Sequence, residues 1–134
     1  MSQQFQRDVQ ANSATVNVPT TTETTILTTN SLPVPYQNAK AAVFGTIVLT
    51  PGTTTNLITL KVRRNPAAEN LVVNTIVYAA GFTVGSAGEL SFGATDPIPD
   101  GRSVQYAVTV TQGAATANGT AQVGCYIDAT LLSG

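Results

Sequence analysis

The sequence predicts an all-β domain, an antiparallel sandwich of about eight short strands. Apolar and polar residues alternate at period two in several segments, which is typical of a strand with one buried face. Gly, Pro and Asn residues separate these segments at the short intervals of a two-layered β-sandwich. Nowhere do apolar residues recur at helical spacing over several turns, so no substantial helix is expected.

The first half of the chain contains two short predicted strands, residues 14–18 and 23–29, and two longer ones, residues 40–50 and 56–64. Between them, the prolines of residues 31–36 lack the N–H groups that a central strand needs, so this stretch is an extended connection.

The two longer strands have clear faces. In residues 40–50, Val43, Ile47 and Leu49 share one face, and Phe44 lies on the other. In residues 56–64, the inner face consists of Ile58, Leu60 and Val62, and the outer face carries Lys61 and Arg63. Alternation places Arg64 opposite Lys61 and Arg63.

The second half of the chain adds four predicted strands. Residues 71–84 are apolar on both faces, which predicts either a central strand of a double layer or a subunit contact. Residues 89–94 form a short strand, and the proline-containing residues 96–101 form a loop. Residues 103–112 and 120–132 complete the sandwich. The inner face of the last strand is expected to hold Val123, Cys125, Ile127 and Leu131.

Residues 1–13 differ from the rest of the chain. They are polar and rich in Gln, Phe5 and Val9 are their only sizeable apolar residues, and they show no strand alternation. We expect an extended N-terminal arm that becomes ordered on a partner, followed by one sandwich domain over residues 14–134. A frayed terminus without a role is the alternative.

Two sandwich folds fit this pattern, the jelly roll and the immunoglobulin fold. An immunoglobulin domain is expected to contain a core Trp and often a pair of cysteines. This chain has no Trp and one Cys, so the jelly roll is preferred.

Composition points to assembly with other protein subunits. Charged residues are 10% of the chain and the net charge is −1, so copies repel one another weakly and an oligomer is expected. With six basic residues and no basic run, nucleic-acid binding is not expected. No signal peptide and no membrane helix are expected either, because no apolar run is long enough.

The residue types needed for catalysis are scarce. The absence of His removes the usual general base and nearly all zinc sites, and one Cys cannot build a thiolate site. Cys125 is expected to be a buried structural thiol. Asp96 and Asp100 could together hold Ca²⁺, but their spacing favours a turn stiffened by prolines. We therefore expect no enzyme, no cofactor and no metal site.

The chain resembles small jelly-roll capsid decoration (cement) proteins of tailed bacteriophages and related TNF-like trimers. The segments that carry the resemblance are GTIVLTPGTTTNLITLKVRRNP, DPIPDGRSVQYAVTVTQ and GAATANGTAQVGCYIDATLL, within residues 45–132. It implies a homotrimer that is made in the host cytoplasm and binds the capsid surface of the virion. There it stabilises contacts between subunits of the major capsid protein.

The resemblance implies two sets of contact residues. The partner contacts would come from the arm, namely Gln3, Gln4, Phe5, Gln6, Arg7 and Val9. Apart from the resemblance, Lys61 and Arg63 point to the same face of their strand and could form salt bridges to an acidic partner surface. The subunit interface would come from the two-faced strand, namely Val72, Ile76 and Tyr78. A solvated strand face is the alternative for Lys61 and Arg63.

Two other functions stay open at this point. One is a principal jelly-roll viral coat protein, although such arms are usually cationic and this one has only Arg7. The other is a receptor- or carbohydrate-binding head of a phage fibre. Sugar sites commonly use exposed aromatic residues, whereas Tyr78 and Tyr106 are expected to face inward or to lie at an interface.

Overall fold

A computed structural model describes residues 6–34, 39–52, 57–78, 84–98, 103–113 and 117–132. Within these ranges the chain forms ten β-strands and no helix, and so no helix that could cross a membrane. The strands are β1 (Arg7–Ala11), β2 (Val16–Val18), β3 (Thr24–Thr28), β4 (Ala39–Thr50), β5 (Ile58–Arg64), β6 (Leu71–Tyr78), β7 (Gly88–Ile98), β8 (Tyr106–Gln112), β9 (Gly119–Ala121) and β10 (Tyr126–Leu132).

The strands form two antiparallel sheets that pack into a sandwich. In the first sheet β4 pairs with β7 along one edge and with β10 and then β9 along the other, and β1 and β2 pair outside β10 and β9. The second sheet has the order β3-β8-β5-β6. Each sheet thus has four strand positions. Two positions of the first sheet hold a pair of shorter strands end to end, which is why the described residues show ten strands instead of eight.

The predicted strand of residues 120–132 is interrupted between β9 and β10. Gly124 has a φ of 109°, a conformation that favours glycine, and the turn around it leaves Val123 56% exposed. The prediction of an inward Val123 is therefore wrong. The Asn12 side chain fills the gap, because its Oδ1 accepts hydrogen bonds from the N–H groups of Gly124 (3.2 Å) and Cys125 (3.0 Å). Its Nδ2 donates to the carbonyl of Gln122 at 2.7 Å.

The first strand, β1, begins at Arg7, before residue 14, where the sandwich domain was predicted to begin. β1 pairs with β10 from Arg7 opposite Thr130 to Ala11 opposite Tyr126, and the carbonyl of Gln6 accepts a hydrogen bond from the N–H of Leu131. The predicted arm is therefore wrong for residues 7–11. They join the sheet by backbone pairing, which needs no apolar alternation. Residues 1–5 lie outside the described residues.

The core lies between the sheets and confirms the inner faces predicted for residues 40–50 and 56–64. Ile58, Leu60 and Val62 are fully buried on β5, and the inner residues of β4 and β10 pack against them. Gly45 faces the core of the first sheet. A Cβ at Gly45 would lie 2.0 Å from the carbonyl oxygen of Tyr126 and 2.7 Å from Cζ of Phe92. Only glycine fits at this position.

β6 is an edge strand of the second sheet, so the central position predicted for residues 71–84 is wrong for the described part, Leu71–Tyr78. A bulge shifts its register opposite Val62 and Arg63. As a result Ile76 and Tyr78 are half-buried against the core, whereas the outward Val72 and Val77 stay exposed. Residues 79–83 lie outside the described residues.

β7 is longer than the sequence predicted. Residues 96–98, expected in a loop, continue the strand and pair with residues 39–41 of β4. Pro97 is tolerated because β7 is an edge strand and needs no N–H on its open side. Asp96 points into the sandwich and is 3% exposed.

Side chains bridge the two sheets along both sides of the sandwich. On one side Nδ2 of Asn74 donates to the carbonyl of Gly93 at 2.7 Å, and the hydroxyl of Tyr78 donates to the carbonyl of Ser91. On the other side the Asp8 carboxylate accepts a hydrogen bond from the N–H of Asn30 at 2.8 Å. Partial burial works to raise the pKa of Asp8, but the bonds from Asn30 and Gln10 outweigh it and lower the pKa.

Candidate functional site

The described residues hold no group of His, Cys, Asp and Glu side chains that could bind a metal ion. Cys125 is fully buried, as predicted, and its Sγ accepts a hydrogen bond from the N–H of Val48 at 3.2 Å. Burial raises the pKa of this thiol, which makes it a poor nucleophile. The candidate functional features are therefore surfaces.

One charged cluster is buried and joins the two sheets. Nη1 of Arg64 donates to both carboxylate oxygens of Asp96, at 2.9 and 3.0 Å, and the hydroxyl of Tyr106 donates to Asp96 Oδ2 at 2.6 Å. Nε of Arg64 donates to Glu69 at 2.7 Å. Arg64 lies opposite Lys61 and Arg63 as predicted, but its buried partner Asp96 was missed. The sequence signal for Asp96 was the apolar Ile98 two residues further on, because alternation in a strand places both on the same face. Ile98 is fully buried in the structure.

This cluster is saturated by its own members. Burial opposes the charge of Arg64, but the bonds to Glu69 and Asp96 outweigh it and raise the Arg64 pKa. Burial and the bond to Asp96 raise the pKa of Tyr106. Both Asp96 oxygens are engaged within the chain, so this carboxylate is not arranged as a calcium ligand. Asp100, the other candidate, lies outside the described residues.

The outer face of the second sheet carries the predicted basic residues beside a shallow pocket. Arg63 forms a double hydrogen bond with Glu23, from Nε to Oε2 at 2.6 Å and from Nη2 to Oε1 at 2.8 Å. These bonds lower the pKa of Glu23 to about 2. Lys61 enters none of the four ion pairs found among the described residues. The pocket has a volume of about 280 Å³ and is lined by Glu23, Thr25, Arg63, Pro66, Asn70 and Thr109.

An exposed aliphatic strip follows β6 at the edge of the second sheet. Leu71, Val72 and Val77 are all exposed, with Val77 at 53%. We call these three residues the β6 strip. It contains Val72 of the predicted subunit interface, whereas the other predicted members, Ile76 and Tyr78, turn toward the core.

The outer face of the first sheet is also partly apolar. We call the outward side chains of β1, β4, β7 and β10 the Phe44 face. One row across these strands runs Val9, Asp128, Phe44 and Gly93. Val9 and Phe44 are 47% and 45% exposed, and Tyr126 is exposed beside them.

An ion pair between Arg7 and Asp128 leaves the centre of the Phe44 face without net charge. Nη2 of Arg7 lies 2.6 Å from Oδ2 of Asp128, and the Asp128 side chain is only 5% exposed. The hydrogen bond to Asp128 raises the pKa of Arg7. The Arg7 charge is thus already matched within the chain and is not free for an acidic partner.

Comparison with known proteins identifies the fold. No protein-family model and no curated protein matches the sequence. Solved structures do match. The structure of the infectious bursal disease virus Gt strain aligns with a TM-score of 0.59 and 13% identity over 98% of this chain and 33% of that chain. The VP2 subviral particle of the same virus gives 0.58 and 13% over 98% and 33%.

A third match is similar in size to this chain. Eiger TNF from S. frugiperda aligns with a TM-score of 0.58 and 13% identity over 96% of this chain and 92% of that chain. The fold is a jelly roll. Identity this low shows the fold alone, and the chain spans about a third of the length of the virus proteins.

The structure separates the predicted contact residues into two groups. Arg7 and Val9 lie on the Phe44 face, and Lys61 and Arg63 lie on the outer face of the other sheet. These faces point away from each other, so one flat partner surface cannot contact both groups. Gln6 is half-buried beside β10. Gln3, Gln4 and Phe5 lie outside the described residues.

Proposed function

We propose that the chain is a structural protein of a virus particle, specifically a decoration protein of a tailed bacteriophage. It binds the outside of the capsid as a homotrimer and stabilises contacts between major capsid subunits. The observation that carries this proposal is the jelly-roll fold combined with exposed apolar surface that the core does not use, at the β6 strip and the Phe44 face. The likeness of the fold to subunits of a virus particle supports it.

The β6 strip is the proposed trimer contact. Leu71, Val72 and Val77 lie on one edge strand, and association with another copy would remove their apolar surface from water. Individually such contacts are small, and a particle gains stability because many copies are engaged simultaneously.

The mass of the purified chain tests the trimer. Light scattering during gel filtration is expected to give three times the 13.8 kDa of one chain. Val72→Asp and Val77→Asp place charges in the strip and are expected to yield monomers that stay folded by circular dichroism. Val123→Asp, the same substitution at an exposed valine in the turn between β9 and β10, is the matched control. A wild-type monomer at every concentration would refute the trimer.

Particles of the virus that encodes the chain test the capsid role. Particles with and without the chain are heated, and released DNA is measured with an intercalating dye. Particles that lack the chain are expected to release DNA at a lower temperature, and added purified chain should restore the original value. Equal release temperatures would refute the stabilising role.

A principal coat protein is the second candidate, because the likeness to the virus particle covers nearly the whole chain. Such a protein assembles closed shells unaided. Electron microscopy of the purified chain distinguishes the two roles, since a decoration protein forms trimers and no shells. For the head of a phage fibre, Tyr106 is buried and the Tyr78 hydroxyl is bonded to Ser91, so among the described residues Phe44 and Tyr126 are the exposed aromatic side chains that could stack on a sugar.

A further inference from the structure

We propose that the Phe44 face binds the Phe44 face of a second copy of the chain about a two-fold axis. In this contact Lys40 of each copy lies opposite Glu89 of the other. The inference goes beyond the proposed trimer, because it concerns the outer face of the first sheet and not the β6 strip.

The centre of the face is apolar around Phe44 and carries no net charge, because Arg7 is paired with Asp128. Phe44 protrudes in the middle strand of the row, with Val9 on the same row and Tyr126 on the next. Gly93, the neighbour of Phe44 on β7, has no side chain, and a Cβ there would meet only the carbonyl of Val43 at 3.8 Å. This leaves space beside each Phe44 ring for the ring of another copy. Offset or edge-to-face aromatic pairs of this kind are favourable.

The charges at the two ends of the face are opposite and form no ion pair with the part of the chain that the structure describes. Lys40 and Glu89 are both exposed, and neither enters an ion pair among the described residues. Lys40 lies four residues before Phe44 on β4, and Glu89 pairs with Val48, four residues after Phe44. At a rise of about 3.3 Å per residue, each charge lies about 13 Å from the Phe44 row, in opposite directions.

This arrangement is complementary to itself. A two-fold axis that lies in the plane of the contact, along the Phe44 row, exchanges the two ends of the face. It places Lys40 opposite the partner's Glu89 twice, and it brings the two Phe44 rings together near the axis. Arg7, two residues from the row, faces the uncharged end of the partner's β1 near Ala11. Such an isologous contact closes as a dimer.

One other way for copies to associate at this sheet, through the open edge of β7, is restricted. Addition of a strand to the open edge of β7 needs its free carbonyls. Two of them, at Ser91 and Gly93, already accept hydrogen bonds from Tyr78 and Asn74. Packing of face against face uses side chains only and leaves these bonds intact.

The size of the face sets the expected affinity. Four strand positions about 4.8 Å apart and about nine residues of strand give a flat area near 500 Å² per copy. This is below the roughly 800 Å² per partner of a standard stable interface, so we expect a dimer that dissociates in the micromolar range. Its population should rise with protein concentration and fall with added salt.

Charge reversal tests the contact directly. In the Val72→Asp background, which removes the proposed trimer contact, Lys40→Glu and Glu89→Lys each create two like-charge pairs in the dimer and are expected to raise its Kd at least about tenfold, measured by sedimentation velocity. An equimolar mixture of the two variants restores two opposite-charge pairs and should form heterodimers near the wild-type Kd. Lys61→Glu makes the same change of net charge on the other sheet and should leave the Kd unchanged.

Two results would overturn the inference: an unchanged Kd in both single variants, or a mixture that associates no better than either variant alone. A second variant, Phe44→Ser, checks the apolar centre and is expected to weaken the dimer without loss of the β-sheet spectrum. The trimer is scored separately through Val72→Asp. If trimers form but the charge reversals have no effect, only the two-fold contact fails; if dimers form without trimers, only the proposed trimer fails.

Discussion

Removal of the Asp96 carboxylate is expected to destabilise the fold strongly. In Asp96→Ala, Arg64, a residue that is 8% exposed, keeps Glu69 as its carboxylate partner. The hydroxyl of the fully buried Tyr106 loses its acceptor. Breaking a buried ion pair costs about 3–5 kcal/mol, and an unsatisfied buried hydroxyl costs about 1–3 kcal/mol. Because Glu69 still compensates part of the Arg64 charge, we expect a loss of about 4 kcal/mol.

Urea unfolding followed by circular dichroism measures this loss. With a slope of about 2 kcal/mol per molar urea, the midpoint should fall by about 2 M. Tyr106→Phe keeps the ion pair and removes one hydrogen bond to a charged group, so its expected loss is smaller, about 2 kcal/mol. A loss below about 1 kcal/mol for Asp96→Ala is the value of a solvent-exposed pair and would refute the argument that this cluster is desolvated.

Three further predictions concern acid, packing and the thiol. The bonds from Arg63 hold the pKa of Glu23 at about 2, below its usual 4.5, so their stabilisation is complete above about pH 4.5 and is lost as the pH falls toward 2. Since Glu23 is partly exposed, we expect about 1 kcal/mol in urea titrations, and Glu23→Gln should lack this acid dependence. Gly45→Ala should cost about 3 kcal/mol or more because its Cβ meets backbone, whereas Gly93→Ala should be nearly neutral; equal effects in thermal unfolding would contradict the packing. Cys125 should react with a thiol reagent only at the rate of unfolding, and rapid labelling of the native protein would contradict its burial.

The sequence predicted the fold class and the inner faces of the long strands because period-two alternation reports directly which side of a strand is buried. It failed for β1, since Arg7–Ala11 are held by backbone pairing and by the Arg7–Asp128 ion pair, neither of which leaves an apolar pattern. It also failed at Gly124, where a single positive φ divides one predicted strand into β9 and β10. Local composition does not show such long-range partners.

The prediction of contact residues was limited for the same reason, because a sequence pattern does not show which residues meet in three dimensions. On β6, Ile76 and Tyr78 pack against the core, whereas Val72 and Val77 are exposed. A bulge in the pairing with β5 determines which of these residues face the core. Arg63 was read as a free charge, whereas Glu23, forty positions away, neutralises it. The placement of Lys40 and Glu89 at opposite ends of the Phe44 face depends on the pairing of β4 with β7, which spacing along one strand does not reveal.

The bonds from Asn74 and Tyr78 to the open edge of β7 also limit how this edge can pair with other molecules. An edge whose carbonyls are already occupied is a poor template for the strand of a neighbouring molecule, and such templating is how fibrils begin. A chain with only 10% charged residues has little repulsion to keep its copies apart at high concentration. At the open edge of β7, the side chains of Asn74 and Tyr78 therefore oppose fibril formation, a role that surface charge has in more highly charged proteins.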